Sequence, residues 1–78
     1  GRKNITVRNC YISNFEKGIY FNNTNNSYII NNTLNVNNEG IKFRNSSNNL
    51  AANNTIEEND DGIELESSLN NLISNNLI

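Results

Sequence analysis

Histidine and methionine are absent from this chain, and cysteine occurs once, as Cys10. A single cysteine excludes an internal disulfide, and with no His or Met beside it there is no donor set for a thiolate metal centre. Charge is scarce: six basic and eight acidic side chains, 18% of residues, leave a net charge of -2 at pH 7. That balance excludes a polybasic surface for nucleic acid or an anionic membrane. No apolar run approaches the ~20 residues of a membrane-spanning helix. No basic stretch followed by an apolar one marks a signal peptide. With 78 residues the chain is at most one small domain, since domains commonly run to about 100–150.

Asparagine is what the chain has in excess, at 22 residues, against an apolar share of 35%. Such a composition suits a disordered or Asn-rich low-complexity tract, which predicts no long-range order. Long-range order is present. Gly18, Gly40 and Gly62 are 22 apart, each followed by Ile19, Ile41 or Ile63 and then by Phe21, Phe43 or Leu65. The same step links Asn4, Asn26, Asn48 and Asn70, and Asn9, Asn31, Asn53 and Asn75. It links Val7, Ile29, Ala51 and Ile73, then Ile12, Leu34, Ile56 and Ile78, then Cys10, Asn32, Asn54 and Asn76. No insertion interrupts the register, so the chain is an array with units 4–25, 26–47, 48–69 and a partial unit 70–78.

A unit of this length is one turn of a solenoid. A leucine-rich repeat fits the length, and Ile29, Asn32 and Leu34 have its L-x-x-N-x-L spacing. Its strand also needs an apolar residue two places earlier, where the column reads Ile5, Ser27, Asn49, Asn71. Nothing in the unit looks helical, because Asn is a poor helix former and the Gly-Ile-x-Phe run alternates with period two. The hexapeptide period of a left-handed β-helix is missing. The sequence therefore predicts an all-β chain: a right-handed parallel β-helix of about 3.5 coils with 22 residues per coil.

The unit N-x-x-I-x-N-N-T-[IL]-x(5)-G-I-x-[FL] resembles the parallel β-helix repeat of the pectate-lyase-like superfamily, and is especially similar to its Asn-rich form in NosD-type and microbial surface proteins. The resemblance spans Asn4 to Ile78. It implies an extracellular or cell-surface location and a polysaccharide or cell-surface glycan as partner. Flanking β-helix coils of a parent chain are the other partners implied. Lyases, hydrolases, epimerases, adhesins and copper-site accessory proteins share this repeat, so it indicates fold far more than chemistry. Neither end carries a visible cap, so residues 1–78 read as an internal segment of a longer β-helix, expected to associate end to end when isolated.

Stacking coils ~4.8 Å apart turns every column into a ladder. Alternation points Ile19, Ile41 and Ile63 inward with Phe21, Phe43 and Leu65, and Tyr20, Lys42 and Glu64 outward with Asn22, Arg44 and Glu66. Which of Tyr28 and Ile29 faces inward is ambiguous, as it is for their equivalents Leu50 and Leu72. The pairs Asn31–Asn32 and Asn53–Asn54 mark tight corners, because Asn tolerates the left-handed conformation. Asn32, Asn54 and Asn76 are expected to form an inward amide ladder, with Cys10 as its buried first rung. Six N-x-[ST] triplets begin at Asn4, Asn22, Asn25, Asn31, Asn45 and Asn53, a number expected by chance at this composition. Asn31 and Asn53, as corner residues, are expected to be unavailable for glycosylation.

The chemistry concentrates in one acidic coil: Glu57, Glu58, Asp60, Asp61, Glu64 and Glu66. Glu64 over Lys42 and Glu66 over Arg44 are opposite charges one rung apart, which explains both glutamates structurally. Glu39 and Asp61 share a column, and Asp60 adjoins them. Mutual repulsion in such a cluster raises some carboxyl pKa values, which suits general acid work. Glu39, Asp60 and Asp61 are accordingly the candidate catalytic residues, and their layout resembles that of polygalacturonase-like glycosidases. The resemblance implies Asp where this chain has Glu39, and a His-Gly about one coil later, at a position beyond Ile78. The residues call for no cofactor, calcium being the one ion clustered carboxylates suit. NosD-like accessory function would leave this segment as scaffold, since it lacks copper ligands. For glycan binding, the outward face offers Tyr20, Lys42, Arg44 and Glu64, with Tyr28 as a further exposed aromatic.

Overall fold

The computed structural model describes residues 2–74, 76 and 77. Asn75 and Ile78, assigned above to the corner and wall columns, lie outside them. The described chain is a parallel β-solenoid of about three turns without helix. Its first wall stacks β2 (Thr6–Arg8), β6 (Tyr28–Ile30), β9 (Leu50–Ala52) and β12 (Leu72–Ser74). The second wall stacks β3 (Tyr11–Ser13), β7 (Thr33–Asn35) and β10 (Thr55–Glu57). The third and longest stacks β4 (Lys17–Asn22), β8 (Glu39–Arg44) and β11 (Asp61–Glu66). A short pair, β1 (Arg2–Lys3) with β5 (Thr24–Asn25), closes the circuit. Every registered pair in the walls is parallel and one repeat apart, as in Ile12 with Leu34 and Leu34 with Ile56.

The core is as narrow as the columns predict. Ile29, Leu34, Ile41, Phe43, Ala51 and Ile56 are buried, and Phe21 stacks on Phe43 with ring centroids 5.5 Å apart. The ambiguous register resolves with Ile29 inside and Tyr28 exposed. Leu65, expected inside, is 44% exposed, because it lies in the last coil of its wall with nothing stacked below it in this chain.

Gly18, Gly40 and Gly62 stand inside strands and have no positive φ, so they are not turn residues. Space accounts for them. A Cβ on Gly40 would sit 2.5 Å from the Gly62 carbonyl oxygen and 2.7 Å from Ile56.

Four corners turn each coil. Asn4, Asn26, Asn48 and Asn70 form one column of positive φ, and Asn9, Asn31 and Asn53 a second. Asn14, Val36 and Glu58 form a third; Asn23, Asn45 and Ser67 a fourth. The asparagines visit this region at low cost, whereas a β-branched residue such as Val36 (φ 60°) is strained there. Asn31 and Asn53 are exposed at their corners, so their triplets are not sterically hidden as expected.

In the second and third coils the side chain after each corner turns inward. Asn32 and Asn54 are buried, and their Oδ1 atoms accept the backbone N–H of Cys10 and Asn32 at 3.0 and 2.9 Å. Asn76 accepts from Asn54 N at 3.0 Å. The remaining corners follow suit: Ser27, Asn49 and Asn71; Asn37 and Asn59; Ser46 and Ser68. Four ladders thus run along the axis, against the single one expected. Each inward asparagine also donates to a carbonyl of the previous coil, as Asn54 Nδ2 does to Ile29 O at 3.0 Å. Cys10 departs from the expected buried rung. It is exposed in the first coil, with its thiol donating to Arg8 O at 3.2 Å.

Two stability measurements check this account. Asn54→Ala leaves the buried Asn32 N–H without an acceptor and removes the second donor to the Ile29 carbonyl, and urea unfolding is expected to show a loss of roughly 1–3 kcal/mol. Val36→Asn relieves corner strain, and the same assay is expected to show a gain of about 1 kcal/mol.

Candidate functional site

Lys17, Glu39 and Asp61 begin β4, β8 and β11 and occupy one column. Strict alternation from Ile41 would put Glu39 and Lys42 on opposite faces. The glycine changes this. Gly40 packs against Ile56 on the interior side, and Ile41 after it is also buried. Alternation therefore breaks at the glycine, and the residue before it joins the outward face. Glu39 and Lys42 become neighbours within one strand, with Oε2 3.7 Å from Nζ.

The result is a continuous charge network down the third wall. Lys17 Nζ lies 3.4 Å from Glu39 Oε1. Lys42 Nζ lies 3.2 Å from Glu64 Oε1 and 3.5 Å from Glu66 Oε1. Arg44 makes a long contact to Glu66 at 4.0 Å. The rung pairs Glu64 over Lys42 and Glu66 over Arg44 follow from the repeat. The diagonal Lys42–Glu66 contact and the Lys17–Glu39 pair were missed by sequence reasoning, although the column Lys17/Glu39/Asp61 contained the second.

Oxygens of Glu39, Asp61 and Glu64 all come within 4.8 Å of one another. Asp60 stands apart from this trio, exposed in the bend before β11. The trio does not suit calcium well. Its three carboxylates fall short of the six to eight oxygens calcium takes. The Lys42 ammonium already contacts two of them.

The protonation of Glu39 runs opposite to the expectation for a carboxylate cluster. A hydrogen bond with the Glu64 carboxyl, then Lys17 and Lys42, hold it below its ordinary 4.5, with partial burial opposing them. A general acid at neutral pH needs the reverse shift. Lys42 is pushed up by the Glu64 carboxylate, and further by Glu39 and Glu66.

On the same face Tyr20 is 39% exposed, with the Lys17 ammonium 5.5 Å from its ring centroid. Tyr28 is exposed on the first wall and Tyr11 on the second. Among the described residues the surface has no pocket.

All of residues 1–78 match the family described as right handed beta helix region, and the chain belongs to it. Membership gives the solenoid its hand. Among curated proteins and solved structures, nothing matches the chain. A shared fold leaves function to the surface residues.

Glu39 gives a pH prediction. Its folded value lies below the unfolded 4.5, so its carboxylate stabilises the fold above that pH. The contribution disappears as pH falls through the folded value. Urea midpoints measured from pH 7 down to pH 3 are expected to drop, and Glu39→Gln to flatten the part of the drop below 4.5. An identical profile in the variant would remove Glu39 as its source.

Proposed function

We propose that this chain is a scaffold segment of an extracellular or cell-surface protein, and that its third wall lays a polar face against an extended polysaccharide. The observation that carries the reading is the exposed Tyr20 ring on a three-stranded parallel sheet that also carries Lys42, Arg44 and Glu64. Sugars stack on aromatic faces and hydrogen-bond to flanking polar side chains. A surface without a pocket suits a long polymer lying across several coils better than a small enclosed ligand.

The rival reading is a polysaccharide-cleaving enzyme using Glu39, Asp60 and Asp61. Glu39 and Asp61 do meet, which favours it. Two observations weigh against it: Glu39 is held ionised, and Asp60 is not part of the trio. The copper-accessory reading also leaves these coils as scaffold.

Titration calorimetry against neutral and acidic polysaccharides tests the proposal. Binding without product release is expected, and Tyr20→Ala is expected to weaken it about fivefold, the equivalent of one aromatic contact. Retained affinity in Tyr20→Ala, or no binding to any polymer, overturns the glycan-binding part. Product release that disappears in Asp60→Asn/Asp61→Asn replaces the whole reading with the enzymatic one.

A further inference from the structure

The four corner ladders have a direction. In each, a backbone N–H donates to a side-chain oxygen 22 residues later, never earlier: Ser27 to Asn49, Asn32 to Asn54, Asn37 to Asn59, Ser46 to Ser68. Each coil therefore depends on the coil that follows it for its corner acceptors.

The two ends of the solenoid are consequently unlike. At the C-terminal end the ladder residues are Asn59, Ser68, Asn71 and Asn76, the same amide and hydroxyl types as in the interior. Their side chains serve the coil above, at Asn37, Ser46, Asn49 and Asn54. The acceptors for their own N–H groups belong one repeat further on. At the N-terminal end the equivalent positions are Arg2, Ile5, Cys10 and Phe15. Ile5 and Phe15 have no acceptor, Arg2 has only donors, and sulfur is a weak acceptor. The Cys10 thiol is also turned toward Arg8 O. The first coil uses acceptors from the second and has none to offer a coil placed above it.

We infer that the C-terminal face is the growing end of the ladder, built to receive a right-handed β-coil with Ser, Thr or Asn at its corner-following positions, and that the first coil closes the ladder on the other side. A second copy of this chain does not meet that requirement. Stacked in register below the first, it would bring Arg2 under Ser68, Ile5 under Asn71 and Cys10 under Asn76, and the place one repeat after Asn59 would stay empty, leaving four N–H groups without acceptors. Open strand edges alone suggest end-to-end association; the ladder chemistry opposes it.

Thermal melting of two tandem insertions and one repair tests the inference. A duplicate of residues 48–69 is placed either directly after Leu69 or directly ahead of Asn4. The first keeps every acceptor. The second sets the duplicate's corners over Ile5, Cys10 and Phe15, while Thr24 supplies the fourth acceptor. The insertion after Leu69 is expected to raise Tm above the parent, and the insertion ahead of Asn4 to melt at least about 5 °C lower than the first. Adding Ile5→Ser, Cys10→Asn and Phe15→Asn to the second is expected to close that gap. Equal midpoints for the two insertions, or no recovery in the repaired one, overturn the inference. Sedimentation of the unaltered chain checks it without any variant: a monomer at high concentration is expected, and head-to-tail oligomers overturn it.

Discussion

The backbone N–H that follows each corner is the group on which this solenoid depends. A left-handed residue turns the chain, and the strand ladder between coils breaks at that point. The next N–H then points along the axis into a dry interior, where an unpaired donor costs roughly 1–3 kcal/mol. A side chain at the same position of the next coil reaches it. Asn32, Asn37, Asn49 and Asn54 do so with Oδ1, and Ser27 and Ser46 with Oγ. Asparagine suits this place because the same amide also donates back to a carbonyl of the previous coil, pairing a second backbone group.

This explains how so few apolar residues hold a fold together. Among the described residues the buried hydrophobic cluster comprises eight side chains. It takes one residue per coil from each of the first two walls and two from the third, as with Ile41 and Phe43, and hydrogen-bonded corners complete its perimeter. The composition also follows. One asparagine population supplies the left-handed corners and another the inward ladders, so a repeat poor in proline and glycine still turns four times per coil.

The period made the fold legible, because stacked equivalents must match and the glycine, isoleucine and asparagine columns do. The Asn31–Asn32 doublet revealed one corner for the same reason. Two others were obscured by particular residues. Val36 and Glu58 replace asparagine at the third corner, and Phe15 replaces the first amide of its ladder, so that column does not read as polar. The Ser46–Ser68 ladder was missed because serine signals surface as readily as interior. At the site, the shared Glu39–Asp61 column and the Lys42–Glu64 rung follow from the period alone. The break in alternation at Gly40 does not, since it depends on how closely Ile56 and the Gly62 carbonyl approach. That local crowding turns Glu39 to the outward face, where Glu64 first and then Lys17 and Lys42 set the direction in which it titrates.

The same network constrains how the third wall can recognise a partner. Lys42, the central cation, is shared among Glu39, Glu64 and Glu66, and Lys17 is held between Glu39 and the Tyr20 ring. An anionic sugar would have to displace a carboxylate to reach either ammonium, giving up one ion pair to form another at little net gain. Arg44 makes the loosest pair and is half exposed, so it is the cation a ligand can reach at least cost. On the proposed reading, recognition on this face would rest on shape and hydrogen bonding: the Tyr20 ring for stacking, the exposed Asn22 amide for hydroxyls, and one guanidinium at the edge. On that argument a neutral or weakly charged polymer fits the wall better than a polyuronate, and the charge ladder serves mainly to hold its strands in register.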